Sequence, residues 1–115
     1  MLQPKVWVIK EKKVIDVHAI DFVNKIIFQN TGGRTKKIYP FDEVEFMENT
    51  GYVDINKKHI CVGDIVKILG AYFEIKYRAY KGYVIKNKKY TLSLEANLDC
   101  VSIVGNIYEN KELVE

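Results

Sequence analysis

The chain has 115 residues and a net charge of +3, with 48% apolar residues, enough for a core and too apolar for a disordered chain. Val, Ile, Thr, Phe, Tyr and Trp account for 45 of the 115 residues, against 4 Ala and 6 Leu. That balance excludes a helical bundle and predicts an all-β fold.

The first elements read as hairpins. The apolar run 6–9, the charged cluster 10–13 and the run 14–17 predict two strands joined by a four-residue loop. Residues 20–23 and 26–28 flank Asn24-Lys25, a two-residue turn in which Asn24 tolerates positive φ. Asn30-Thr31-Gly32-Gly33 is the clearest breaker, and a strand over 37–39 ends at Pro40, which cannot donate to a ladder. Over 42–48, Val44 and Phe46 alternate with Glu43 and Glu45, which reads as a half-buried strand, although four acids in seven residues also suit the start of a helix.

Asn49-Thr50-Gly51 is the expected seam between an N-terminal hairpin subdomain, 1–49, and a second subdomain, 50–115. Beyond it come a turn at 54–58, Gly63-Asp64, and a strand over 65–68. Residues 73–80 read as a long strand, with Phe73, Ile75, Tyr77 and Ala79 on one face and Glu74, Lys76, Arg78 and Tyr80 on the other. Lys81-Gly82 and Asn87-Lys88 turn the chain around a strand at 83–86, and 90–94 and 101–104 are further strands. Short strands at this spacing predict a small barrel or sandwich. Asn110 and Lys111-Glu112-Leu113 read as an N-cap and a helical turn.

The longest stretch without a charge is nine residues, 100–108, against the roughly 20 that a spanning helix needs. The four apolar residues 6–9 are too few for a signal-peptide core. A cytoplasmic protein with no membrane partner is expected, with Cys61 and Cys100 as reduced, packed thiols.

Phe46-Met47-Glu48-Asn49-Thr50-Gly51, Asp54-x-Asn56 and Gly63-Asp64-Ile65-Val66 form one block, and Val104-Gly105-Asn106-Ile107-Tyr108-Glu109-Asn110-x-Glu112-Leu113 forms another. In this order and at this distance the two blocks resemble the YopX family, small proteins of phages and prophages in low-GC Gram-positive bacteria. Trp7 and Val14-Ile15-Asp16 fit that family's opening hairpin. The resemblance implies an all-β protein of bacterial cytoplasm with a C-terminal SH3-like barrel, and it transfers no catalytic residue. The chain departs from the family at three places: Lys57 stands where Gly is usual, Val62 where Glu is usual, and Lys111 where Pro is usual. A left-handed Lys57 would cost about 1 kcal/mol relative to Gly.

Nothing in the sequence predicts an enzyme or a cofactor. His59 and Cys61 lie two apart with His18 and Cys100 elsewhere, which is no metal-ligand spacing. Gly32-Gly33 lacks a following Lys-Ser/Thr, and Ser93 and Ser102 fall inside expected strands. The carboxylate pairs Glu43/Glu45 and Asp16/Asp21 read as solvated acids.

Charge is the stronger signal. Residues 57–90 carry nine basic groups against Asp64 and Glu74, while 91–115 carry Lys111 against five acids. Tyr72, Phe73, Tyr77, Tyr80, Tyr83 and Tyr90 lie within the basic segment. Basic groups hold phosphates and aromatic faces stack on bases, so Lys67, Lys76, Arg78, Tyr80, Lys81, Lys86, Lys88 and Lys89 are a candidate nucleic-acid surface. The bland alternative is that Tyr suits strands and Lys keeps edges soluble. The acidic tail also offers Ile107, Tyr108, Leu113 and Val114 as anchors for a second copy, or for its own barrel. The sequence therefore predicts a non-enzymatic, oligomeric binding or assembly module with an unidentified phage or host protein partner, and nucleic-acid binding is the alternative.

Overall fold

The expected first hairpin forms with its four-residue loop, each strand one residue earlier than read from the sequence: β1 (Lys5–Val8) and β2 (Lys13–Asp16) pair antiparallel from Lys5↔Asp16 to Val8↔Lys13. The computed structural model describes residues 3–30 and 36–115. The chain divides into two units, Met1–Glu48 and Asn49–Glu115.

In the first unit, β3 (Ala19–Asp21) and β4 (Ile26–Asn30) pair with Asp21 opposite Ile26. Their loop therefore holds four residues rather than the expected two. The reason is Asp21, whose carboxylate accepts the backbone N–H of Val23 and of Asn24 and the Asn24 amide. Lys25, not Asn24, takes the positive φ, at 56°. β5 (Lys36–Pro40) pairs with β4, and Pro40 ends it opposite Ile26. Thr31, Gly32 and Gly33 of the expected breaker lie outside the described residues. Residues 41–43 make a 3-10 turn, and β6 (Val44–Met47) then pairs with β1. Val44 is buried as expected. Phe46 is 40% exposed and meets Phe41 edge to face at 5.2 Å, and Met47 takes the buried place. Val6, Val8, Ile15, Val17, Ile27, Tyr39 and Val44 form this unit's core.

The second unit begins with β7 (Asn49–Val53) and β8 (His59–Cys61), an antiparallel pair. It continues with β9 (Asp64–Ile68), β10 (Ala71–Arg78), β11 (Gly82–Lys86), β12 (Thr91–Ser93) and β13 (Ser102–Asn106). These five form one antiparallel sheet in the order β12-β11-β10-β9-β13. Ile60, Val66, Ile68, Phe73, Ile75, Ile85, Leu94 and Val101 form its core. Leu94 leaves the strand expected over 90–94 to be buried, and the 3-10 segment Glu95–Cys100 follows it unforeseen. The final 3-10 turn, Lys111–Leu113, sits where a helical turn was expected, but Asn110 does not cap it. Its Oδ1 turns back instead to accept the N–H of Asn106 at 3.2 Å. Cys61 and Cys100 are not joined in a disulfide. No helix among the described residues is long and apolar enough to cross a membrane.

Candidate functional site

β10 is the backbone of the site. Its first half pairs with β9, from Ala71↔Ile68 to Glu74↔Ile65, and its second half with β11, from Glu74↔Lys86 to Arg78↔Gly82. Residues directly opposite in an antiparallel ladder share a face, and alternate residues of a strand share one too. Lys67 (opposite Tyr72), Lys86 (opposite Glu74), Lys76 and Arg78 therefore come to a single face. Lys81 lies in the loop before β11, and Lys88 and Lys89 in the loop after it, at the two ends of that face.

Among the described residues, none of these seven basic side chains makes an ion pair. Two acids are set near them, Glu74 across from Lys86 and Glu115 in the depression that Lys88 and Lys89 wall. The Lys67 ammonium sits 5.6 Å from the Tyr72 ring centroid, a cation–π contact. The loop bearing Lys88 and Lys89 is shaped by Asn87, whose Oδ1 accepts the N–H of Lys89 and of Tyr90, and whose amide donates to the Tyr72 carbonyl.

Tyr80 is not on this face. The sequence places it beside Lys76 and Arg78, but Arg78 pairs with Gly82, which ends β10 and leaves 79–81 as a three-residue tip. Tyr80 stands there at φ 69° with its side chain fully exposed. Arg78, Ala79, Lys81 and Thr91 line a depression of about 390 Å³ at this end of the hairpin.

At the other end, a depression of about 270 Å³ is walled by Tyr72, Lys88 and Lys89 together with Leu113, Val114 and Glu115. A smaller one of about 120 Å³ brings Val114 beside Lys76, Lys86 and Lys88. Leu113 and Val114, offered by the sequence as contacts to a second copy, are half-buried against their own sheet. Of the other two anchors, Ile107 donates its N–H to the Gly63 carbonyl, and Tyr108 is 37% exposed. The basic face and the tail thus meet. Sequence reasoning held them apart because the strand order that places the end of the chain over the β10–β11 hairpin has no local signature.

The buried carboxylates are committed to backbone. Asp54 accepts the N–H of Asn56 and of Lys58 through Oδ1 and that of Ile103 through Oδ2. Burial alone would raise its pKa, but the three N–H groups, with Lys58 nearby, outweigh burial and hold it below the usual value. Asp64 accepts the N–H of Cys61 at 2.7 Å. In the first unit the Lys37 ammonium at 2.9 Å, with the Tyr39 hydroxyl and Lys13 beside it, holds Glu11 down to about 2. Glu43 and Glu45 are exposed, His59 is exposed and Cys61 is buried. No cluster of three or more His, Cys, Asp or Glu fit to hold a metal occurs among the described residues.

The chain is similar in structure to protein EF1440 from Enterococcus faecalis, with a TM-score of 0.64 at 24% identity, over 98% of this chain and 97% of that one. No curated protein matches it in sequence. The family model described as YopX protein matches residues 5–115. From its opening hairpin to its tail, the chain belongs to the YopX family.

Proposed function

We propose that this YopX-family chain is a phage-type, non-enzymatic binding module of the bacterial cytoplasm that holds nucleic acid on the basic face of its second unit. The observation that carries this reading is the convergence of Lys67, Lys76, Arg78 and Lys86 from three strands onto one face, none of them ion-paired among the described residues. Cations left without acidic partners favour a polyanion, and releasing its counterions supplies affinity. The strand order, with a 3-10 segment before the returning β13, supports an SH3-like barrel as the scaffold.

Assembly through the tail is the second reading. The half-burial of Leu113 and Val114 on their own sheet favours an intramolecular seat for the tail, so nucleic-acid binding is preferred.

Fluorescence anisotropy with labelled single- and double-stranded oligonucleotides tests the proposal, with light scattering on the same sample. If the four face cations meet phosphates of a single strand, affinity falls about 50-fold between about 50 and 200 mM salt. The triple variant Lys76→Glu, Arg78→Glu, Lys86→Glu should abolish that binding. Absence of binding at low salt, with a mass several times the 13.4 kDa of one chain, would overturn the proposal in favour of assembly.

A further inference from the structure

The ladder between β10 and β9 ends at Glu74, and beyond it β10 runs on beside β11 to the 79–81 tip. Tyr77 and Tyr83 face each other across this part of the hairpin, with ring centroids 5.3 Å apart and planes at 68°. Tyr83 thus braces Tyr77, which is still 58% exposed. Three residues further on, Tyr80 presents its whole ring to solvent from a left-handed backbone, a conformation that is costly for any residue with a Cβ. Neither the exposure nor the conformation stabilises the fold. The ring is therefore free of any role in the core and open to a partner from solvent.

Arg78 and Lys81 flank this tip and, with Thr91, line the depression of about 390 Å³. The depression is open to solvent, and its cationic walls suit a phosphate. A duplex read from its groove would call for Arg, Asn or Gln aimed at base edges, whereas this arm offers ring faces and a single Arg. Ring faces suit bases whose own faces are open, which only an unpaired strand provides.

We infer that the hairpin tip is a stacking site for unpaired bases, with Tyr80 as its platform and Arg78 and Lys81 holding the adjoining phosphates; this rests on the nucleic-acid reading above and makes its ligand single-stranded. The test compares the full chain with its Tyr80→Ala variant on three labelled probes at about 50 mM salt. The probes are an oligothymidylate, a strand of equal length with abasic central positions, and a duplex of that length. Tyr80→Ala should bind the intact strand about 5- to 150-fold more weakly, as the loss of one stacked base implies, and the abasic strand as the parent does. Equal affinity of the parent for the abasic and intact strands, tighter binding to the duplex, or no effect of Tyr80→Ala would overturn the stacking site while leaving the basic face standing. Failure of all three probes to bind would overturn both. Tyr80 packs on nothing that the core needs, so its variant reports on binding without unfolding the unit.

Discussion

Asp54 accepts the backbone N–H of Ile103 at 3.0 Å, across 49 positions of the chain. The same carboxylate closes the turn at 54–58 through Asn56 and Lys58, each at 2.9 Å. One buried side chain therefore shapes a local turn and fastens β13 to it. In Asp54→Ala three N–H groups lose their acceptor, and the expected cost is about 2–4 kcal/mol, measured by urea denaturation at neutral pH. Asp54→Asn keeps one acceptor oxygen and should lose less.

Acid should act through the same group. Its folded pKa is depressed, because the three N–H groups outweigh burial, while the unfolded carboxyl titrates near about 3.9. Its contribution is then complete above that value and is lost as pH falls from there through the folded pKa. Urea midpoints of the parent should decline over that acid range, and those of Asp54→Asn should decline less. Equal slopes for the two proteins would show that other carboxylates govern the acid limb.

Gly105 is required by a close approach. A Cβ there would run into the Asn110 side chain, which holds the Asn106 N–H at 3.2 Å. Asn106 in turn accepts the N–H of Tyr108 and of Glu109. Gly105→Ala should displace Asn110 and cost about 1–2 kcal/mol through the lost bond and strained packing. Hydrogen exchange at Asn106, Tyr108 and Glu109 should accelerate together. Unchanged protection would mean that the tail does not depend on this contact.

Tyr80 should show opposed effects on stability and binding. Tyr80→Gly relieves a left-handed residue and pays Gly's larger chain entropy, for a net gain of about 0.5–1 kcal/mol, while weakening single-strand binding. A gain in the urea midpoint accompanied by a loss in anisotropy is the expected pair of results.

For the basic face, Lys76→Gln and Lys86→Gln should each make the salt dependence shallower by about 0.7 in log affinity against log salt on a single strand. A slope that stays put would mean that these two ammonium groups meet no phosphate.

Most of the turns that side chains build were legible in the chain, although the one closed by Asp21 was read two residues too short. Asp54, Gly63 and Asp64 stand in sequence where a turn is needed, and the structure shows why: Gly63 has φ 98° and Asp64 closes on Cys61. The residues that carry the family resemblance are largely these turn makers. Thr50 Oγ1 donates to the Ile60 carbonyl, Asn106 folds the tail, and Gly105 admits Asn110. They say how the chain folds and are silent about chemistry. Turns with the wrong residue in them were less legible. Lys25, Leu69 and Tyr80 have positive φ, so propensity displaced the tips of their hairpins or hid them, whereas Lys57 is left-handed as its place in the 54–58 turn required. The basic segment was legible as composition. Which of its side chains share a face was not, because that depends on where Arg78 stops pairing and on β9 lying beside β10.

The order of strands in the second unit also governs how it is made. β9 to β12 follow one another as neighbours, so their ladders close short loops, whereas β13 must come back from Ser102 to lie beside Lys67. Closing that longer loop is the entropically expensive step and waits until the meander exists to receive it. The bond from Ile103 to Asp54 then belongs to the last act of folding. The share of an Asp54 defect that comes from the lost bond to Ile103 should appear as faster unfolding, and the share from the opened 54–58 turn as slower refolding, with the basic hairpin assembled before the tail arrives to lie against it.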